Sequence, residues 1–223
     1  MLFQENQGAA AARNAGIRQA RGDFLCFLDS DDWWDPLKIA LQAEALRNNP
    51  DILISHTREI WFRNGVRVNQ KKKHAPPGGV IFSACLKMCV VGMSTVMARR
   101  EFFDRYGLFD PTFPCCEDYD LWLRASRDTS FLLVDHALTL KEGGRPDQLS
   151  QIYRMGMDRF RIQAMQKLLA GNCLSPGQRR ETIAELQRKC TIYGKGCLKH
   201  GHRELGEYYL ALPGKYQSYG HTL

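Results

Sequence analysis

The stretch Phe24-Leu25-Cys26-Phe27-Leu28-Asp29-Ser30-Asp31-Asp32 decides the fold class. Its apolar run is too short for a helix and is bounded by turn signals, so residues 23–28 read as a buried strand. That strand hands its tip to Asp29 and Asp31. A pair of carboxylates spaced as Asp-x-Asp at a strand end can hold a hard divalent cation through oxygen ligands. Far along the chain a second acidic cluster, Glu117-Asp118-Tyr119-Asp120, opens the amphipathic stretch Leu121-Trp122-Leu123-Arg124. A carboxylate at a helix start can serve as a base near such a cation.

Working outward, residues 8–21 are alanine-rich and read as a helix closed by Gly22. Asp35-Pro36 supplies an N-cap and a first-turn proline for a helix to about residue 48, with Leu37, Leu41, Ala45 and Leu46 on one face. Residues 51–55 read as a strand. Residues 60–68 read as a hairpin, because Asn64-Gly65 supplies the positive φ angles of a type I′ turn. Residues 80–88 read as a helix, 94–98 as a strand, and 99–106 as a short helix ended by Gly107. A helix over 117–127 and a strand over 131–134 complete an α/β region. From Gln151 the texture turns helical, with segments over 152–170, 175–200 and 202–212. The expected division is an α/β domain over 1–150 and a helical extension over 151–223.

The net charge of +7 raises nucleic acid as a partner, but the basic residues are scattered. The dense run Lys71-Lys72-Lys73-His74 reads as a solvated loop, so nucleic acid is set aside. The excess charge suits an anionic substrate or peripheral contact with an anionic inner membrane face. No apolar run approaches the roughly 20 residues that span a bilayer, and Met1-Leu2-Phe3-Gln4-Glu5-Asn6 does not open like a secretory leader. Eight cysteines without a Cys-x-x-Cys pair argue against zinc or a disulfide framework, and for a reducing cytoplasm. Cys85 and Cys89 are expected to share one buried helical face.

These pieces together resemble the family 2 glycosyltransferases, which adopt the GT-A fold. The matching residues are Asn6-x-Gly8, Ala12-Arg13-Asn14-x-Gly16-Ile17, Ala20-x-Gly22, Phe27-Leu28-Asp29-Ser30-Asp31-Asp32 with Pro36, Gly107-x-Phe109-Asp110, and Glu117-Asp118-Tyr119-Asp120-Leu121-x-Leu123-Arg124. They occur in the family's order over residues 6 to about 150. The resemblance implies a GT-A-like mixed sheet flanked by helices and lacking its first strands. It implies transfer of a sugar from a nucleotide-diphosphate-sugar donor to a glycan, lipid or polysaccharide-precursor acceptor, with Mn²⁺ or Mg²⁺ and inversion.

By that resemblance Asp31 ligates the metal and Asp29 supports it or contacts the ribose, while Asp118 is the catalytic base. Arg13 and Asn14 fall beside the donor, and helix packing explains them equally well. Arg145 stands in the segment where relatives often carry a histidine, and could contact phosphate. Glu117 and Trp33 fall on the acceptor side. Trp33 and Trp34 suit stacking on a sugar or burial as core. Asp120 and Arg124, at (i, i+4), suit an ordinary surface pair. The rival expectations are a truncated inactive remnant or a glycan- or protein-binding module. A nucleotidyltransferase would carry a glycine-rich phosphate loop, and none is visible.

Overall fold

A computed structural model of the chain describes residues 2–217, divided into two compact units, Met1–Ile152 and Tyr153–Leu223. The first unit is a mixed sheet with helices. Its elements in chain order are α1 (Gly8–Gln19), β1 (Phe24–Cys26), β2 (Asp32–Trp34), α2 (Lys38–Arg47), β3 (Ile54–Arg63), β4 (Val66–Val68), α3 (Phe82–Lys87), β5 (Met97–Arg99), α4 (Arg100–Tyr106), α5 (Glu117–Ser126), β6 (Leu132–Gly143) and α6 (Leu149–Ile152). The strand order is β1-β5-β3-β6-β2, with β4 added to β3. Among the described residues only β3 and β6 pair in parallel; the other neighbours are antiparallel. Hence β1, β3 and β6 all point the same way. Loops leaving their carboxyl ends gather at one end of the sheet, where open α/β sheets bind ligands.

Several elements differ from the sequence expectation. Residues 51–55 and 60–63 are not separate pieces: one strand, β3, runs through both, with register shifts around Arg58 that keep it paired to β6. The short strand β2, placed directly in the acidic stretch, was not foreseen, nor was the length of β6. β2 is a three-residue edge strand paired along its whole length, and β6 runs through an irregular polar stretch at 135–137, so neither shows the apolar run of a central strand. Asp35 does not cap α2. Its carboxylate accepts from the Leu37 N–H at 2.9 Å, closing a turn ahead of a helix that begins at Lys38. Residues 93–95 form a 3₁₀ turn, so β5 begins only at Met97. The Asn64-Gly65 hairpin is as expected, with φ of 51° and 72°. Helix α3 ends at Lys87, so Cys89 lies outside it and does not share the face of Cys85.

The core between sheet and helices is built from Leu46, Ile54, Met97, Phe102, Tyr119, Trp122 and Phe131. His56 on β3 lies within it, edge-on to Phe131 with ring centroids 6.3 Å apart. Neither ring nitrogen reaches hydrogen-bond geometry with a partner, and the Pro77 carbonyl offsets only part of the burial cost, so the ring's pKa is pushed down to about 4. The folded state therefore favours the neutral ring. Stability from this group is complete above its ordinary pKa near 6.5 and is lost as pH falls toward 4, by about 3 kcal/mol in all. Urea midpoints measured from pH 7 to pH 4.5 should fall for the native chain and fall less for His56→Phe.

The second unit is helical: α7 (Met157–Ala170), α8 (Pro176–Lys199), α9 (Arg203–Ala211) and α10 (Gly214–Gln217). Ser175 and Gln178 open α8 with a reciprocal capping box, ahead of Pro176 in the first turn. Helices α8 and α9 approach through Gly194 and Gly206. A Cβ on Gly206 would lie 2.9 Å from the Gly194 carbonyl oxygen and 2.7 Å from the Leu198 side chain. Gly206→Ala should destabilise this unit by about 1–2 kcal/mol, because overpacking outweighs the gain in helix propensity. Thermal unfolding followed by circular dichroism reads the change.

Candidate active site

The two acidic clusters meet. Arg13, on α1, donates from Nη2 to Asp29 Oδ1 at 2.7 Å and from Nη1 to Glu117 Oε1. The guanidinium also lies over the Phe109 ring, 5.7 Å from its centroid. Burial alone would lower the arginine pKa, but Asp29 and Glu117 more than offset it and hold the cation charged. Glu117 is only 6% exposed in its side chain. Burial and the neighbouring Asp118 push its pKa up, and Arg13 pulls against them.

Asp118 is the second residue of α5, which Glu117 opens directly after Cys116, a residue with φ 66°, ψ 19°. A positive φ on a non-glycine residue is uncommon and gathers at functional sites. Here it turns the chain so that helix α5 begins with acids in its first turn, where the helix dipole favours them. Asp118 Oδ1 accepts from the Tyr119 N–H at 2.6 Å, and Oδ2 accepts from the Cys89 thiol at 3.2 Å. Burial first, and the Asp118 charge second, raise the Cys89 pKa well above the ordinary thiol range, so Cys89 stays a donor.

Asp31 is held from the other side. Its Oδ2 accepts from Gln148 Nε2 at 2.6 Å. The same amide nitrogen donates to the Glu142 carbonyl at 2.7 Å, and Gln148 Oε1 accepts from the Gly144 N–H at 2.9 Å. One glutamine thus folds the chain leaving β6 back onto the acidic turn. Arg145, in that loop, is exposed and pairs with Asp147, Nε to Oδ1 at 3.0 Å. That partner is the main reason its pKa rises, with Asp31 contributing at longer range.

Behind Asp31 lies a charged row. Asp32 on β2 sits opposite Lys141 on β6, which sits opposite Trp61 on β3. Lys141 Nζ is 4.0 Å from Asp32 Oδ2 and 3.9 Å from Glu59 Oε1. Burial raises the Asp32 pKa to about 6, and Lys141 limits the rise. Burial works against the Lys141 charge, but Glu59 and Asp32, with Asp29 and Asp118 farther off, lift its pKa above the ordinary lysine value.

Of the expected site residues, Arg13 joins Asp29 and Glu117, with Asp118 next to Glu117, while Asp31 lies at the turn that Asp29 begins. Asn14 is turned elsewhere. Its buried amide donates to the Phe109 carbonyl at 2.7 Å and accepts from the Phe109 N–H at 3.0 Å, pinning that loop to α1. Trp33 is 53% exposed on β2, whereas Trp34 donates to the Ser94 carbonyl at 2.7 Å. The Asp120–Arg124 pair is no surface pair. Asp120 is buried, and Arg124 also reaches the carbonyls of Tyr106 and Leu108.

Sequence reasoning missed Lys141, Glu59, Gln148 and Cys89. Lys141 alone left a trace, as a charge in the alternating run Leu138-Thr139-Leu140-Lys141. Among the described residues no three His, Cys, Asp or Glu side chains converge into a metal cage. That still suits Mg²⁺ or Mn²⁺, because such ions commonly take one or two carboxylates and complete their shell with substrate phosphates and water. Asp31 carries a neutral amide rather than a cation, and Asp29 uses one oxygen on Arg13, so both retain oxygens for a metal.

The model of the family described as Glycosyl transferase family 2 matches residues 1–114. The chain belongs to glycosyl transferase family 2. The match ends just before Glu117. An Escherichia coli relative, UDP-Glc:alpha-D-GlcNAc-diphosphoundecaprenol beta-1,3-glucosyltransferase, is 30% identical over 129 residues, 58% of this chain and 48% of its own. The chain spans about a quarter to a half of the length of such curated relatives. S. aureus TarS 1-349 in complex with UDP is similar at TM-score 0.54 and 18% identity, covering 82% of this chain and 51% of that one. The mannosyltransferase PcManGT from Pyrobaculum calidifontis, in complex with GDP-Man and Mn²⁺, is similar at TM-score 0.53 and 12% identity, covering 98% and 68%. These likenesses establish for this family 2 chain the GT-A-type arrangement of a mixed sheet flanked by helices.

Proposed function

We propose that the chain is a metal-dependent, inverting glycosyltransferase, moving a sugar from a nucleotide-diphosphate-sugar to a glycan acceptor carried on a lipid diphosphate at the cytoplasmic membrane face. The observation that carries this reading is the double ion pair of Arg13, which fastens the Asp29 turn to the Glu117-Asp118 helix start. Two carboxylate clusters with different tasks are thereby held side by side.

Asp118 takes the proton of the acceptor hydroxyl as that oxygen forms its bond to the anomeric carbon. The bond from that carbon to the diphosphate breaks on the opposite face, so one displacement inverts the centre. The Cys89 thiol and the Tyr119 N–H orient the carboxylate. Asp31 with Asp29 would hold Mn²⁺ or Mg²⁺, which supplies neutralisation of the charge on the departing nucleoside diphosphate. Arg145, once released from Asp147, reaches for phosphate. Trp33 offers an exposed ring to a sugar on the acceptor side, and Arg13 and Asn14 hold the donor side in shape. The lipid-diphosphate acceptor is drawn from the named activity of the Escherichia coli relative.

The test is thermal stability of the chain with UDP-, GDP- and dTDP-sugars, with and without Mn²⁺. Donor at 100 times its dissociation constant should stabilise by about 2.7 kcal/mol, and the shift should need Mn²⁺ and vanish in Asp31→Ala. No shift with any donor would sink the reading.

A further inference from the structure

We infer that the β3–β4 hairpin and the basic turn after it form a docking surface for an anionic lipid bilayer. Between residues 60 and 80 the chain carries Arg63, Arg67, Lys71, Lys72 and Lys73 and no acidic residue. All five side chains are exposed. None has a carboxylate within ion-pair distance among the described residues, whereas Arg58, Arg105, Arg124 and Arg145 each have one. Exposed apolar side chains lie within this cationic stretch and just after it. Val66, beside the hairpin tip, is 66% exposed, and Val80, after the basic turn, is 84% exposed. Cations mixed with isolated apolar tips match a layer of anionic headgroups over hydrocarbon.

The basic turn is fixed rather than loose. Residues 72–74 form a 3₁₀ turn, and the His74 ring packs on Trp61 with centroids 5.0 Å apart. Trp61 stands in the same cross-strand row as Lys141 and Asp32. Arg63, facing Gly143, lies two residues beyond that row toward the hairpin tip. With neighbouring strands about 4.8 Å apart, β3 and β2 are separated by roughly 10 Å. The hairpin tip therefore projects from the end of the sheet that carries Asp31, and the basic turn is held beside the Trp61 row through His74. A bilayer docked there brings its headgroup layer to the mouth of the acidic site. The inference deepens the proposed function and rests on its placement of the acceptor at a membrane, while charge, exposure and strand register carry the choice of surface.

The experiment is co-sedimentation of the full chain with phosphatidylcholine vesicles, pure or containing about a third phosphatidylglycerol. Binding should require the anionic lipid and weaken with added salt. Each basic residue near such a surface strengthens partitioning about fivefold, so Lys71→Ser/Lys72→Ser/Lys73→Ser should weaken it on the order of a hundredfold. A control, Arg180→Ser/Lys195→Ser/Lys199→Ser, removes the same charge from the second unit and should change little. Equal binding to neutral vesicles, no binding to anionic ones, or equal loss in both triple variants overturns the inference. So does duplex DNA competing as well as anionic vesicles. Donor-induced thermal shifts in the Lys71–Lys73 variant separate this outcome from failure of the transferase reading.

Discussion

Asp118→Asn should lower sugar transfer by about a thousandfold while leaving donor binding intact. Asparagine keeps the shape of the side chain and its acceptance from Tyr119, but it cannot take a proton. The change should appear in kcat, because the base acts only as the acceptor oxygen forms its bond. The Mn²⁺-dependent thermal shift with donor should persist, since the Asp29–Asp31 turn is untouched. Transfer within tenfold of the native rate would remove Asp118 from the role of base. Loss of the donor shift together with transfer would instead assign Asp118 to shape.

The second large effect is on stability. Arg13→Met keeps an unbranched stem but strands Asp29 and Glu117 beside each other, with Asp118 adjacent. Arg13 is 15% exposed in its side chain, so water compensates little. Removing one partner from a buried ionic network costs about 3–5 kcal/mol, and urea unfolding at pH 7 should read a loss of about 3 kcal/mol. The pH dependence has a definite sign. The Glu117 pKa already lies above its ordinary value, and losing Arg13 raises it further. A carboxyl whose folded pKa is raised favours the protonated folded state, so the penalty is full at higher pH and shrinks as pH falls. Arg13→Met/Glu117→Gln should recover part of the loss at pH 7. An equal loss at every pH would mean that Arg13 acts by packing on Phe109.

The sequence made the strand before Asp29, the helix at Glu117 and the Asn64-Gly65 hairpin legible, because each is written locally. A short apolar run, a cluster of first-turn acids and a pair of residues tolerant of positive φ carry their own physical signals. The ordered motifs carried the family and the GT-A-type sheet. What stayed hidden depends on pairing across the chain. Strand β2 exists because β6 offers an edge to Asp32, Trp33 and Trp34, and nothing in those residues announces it. Gln148 and Cys89 are ordinary residues until folding brings them to Asp31 and Asp118. Asn14 shows the reverse case, a motif residue whose amide is committed to the Phe109 backbone.

The shifted pairing of β6 against β3 decides where the chain tolerates a change in length. Thr57 faces Val134, but Glu59 faces Thr139, so β6 spends residues 135–138 while β3 advances past Arg58. Asp135, His136 and Ala137 are exposed there. An extra residue between Asp135 and His136 enlarges an existing bulge and leaves Lys141 opposite Asp32. The same residue inserted between Leu138 and Lys141 would slip the register and turn Lys141 to the other face of the sheet, away from Asp32 and Glu59. A reporter tag or cross-linking probe for this half of the molecule therefore belongs at position 135, a few residues from the charged row and harmless to it.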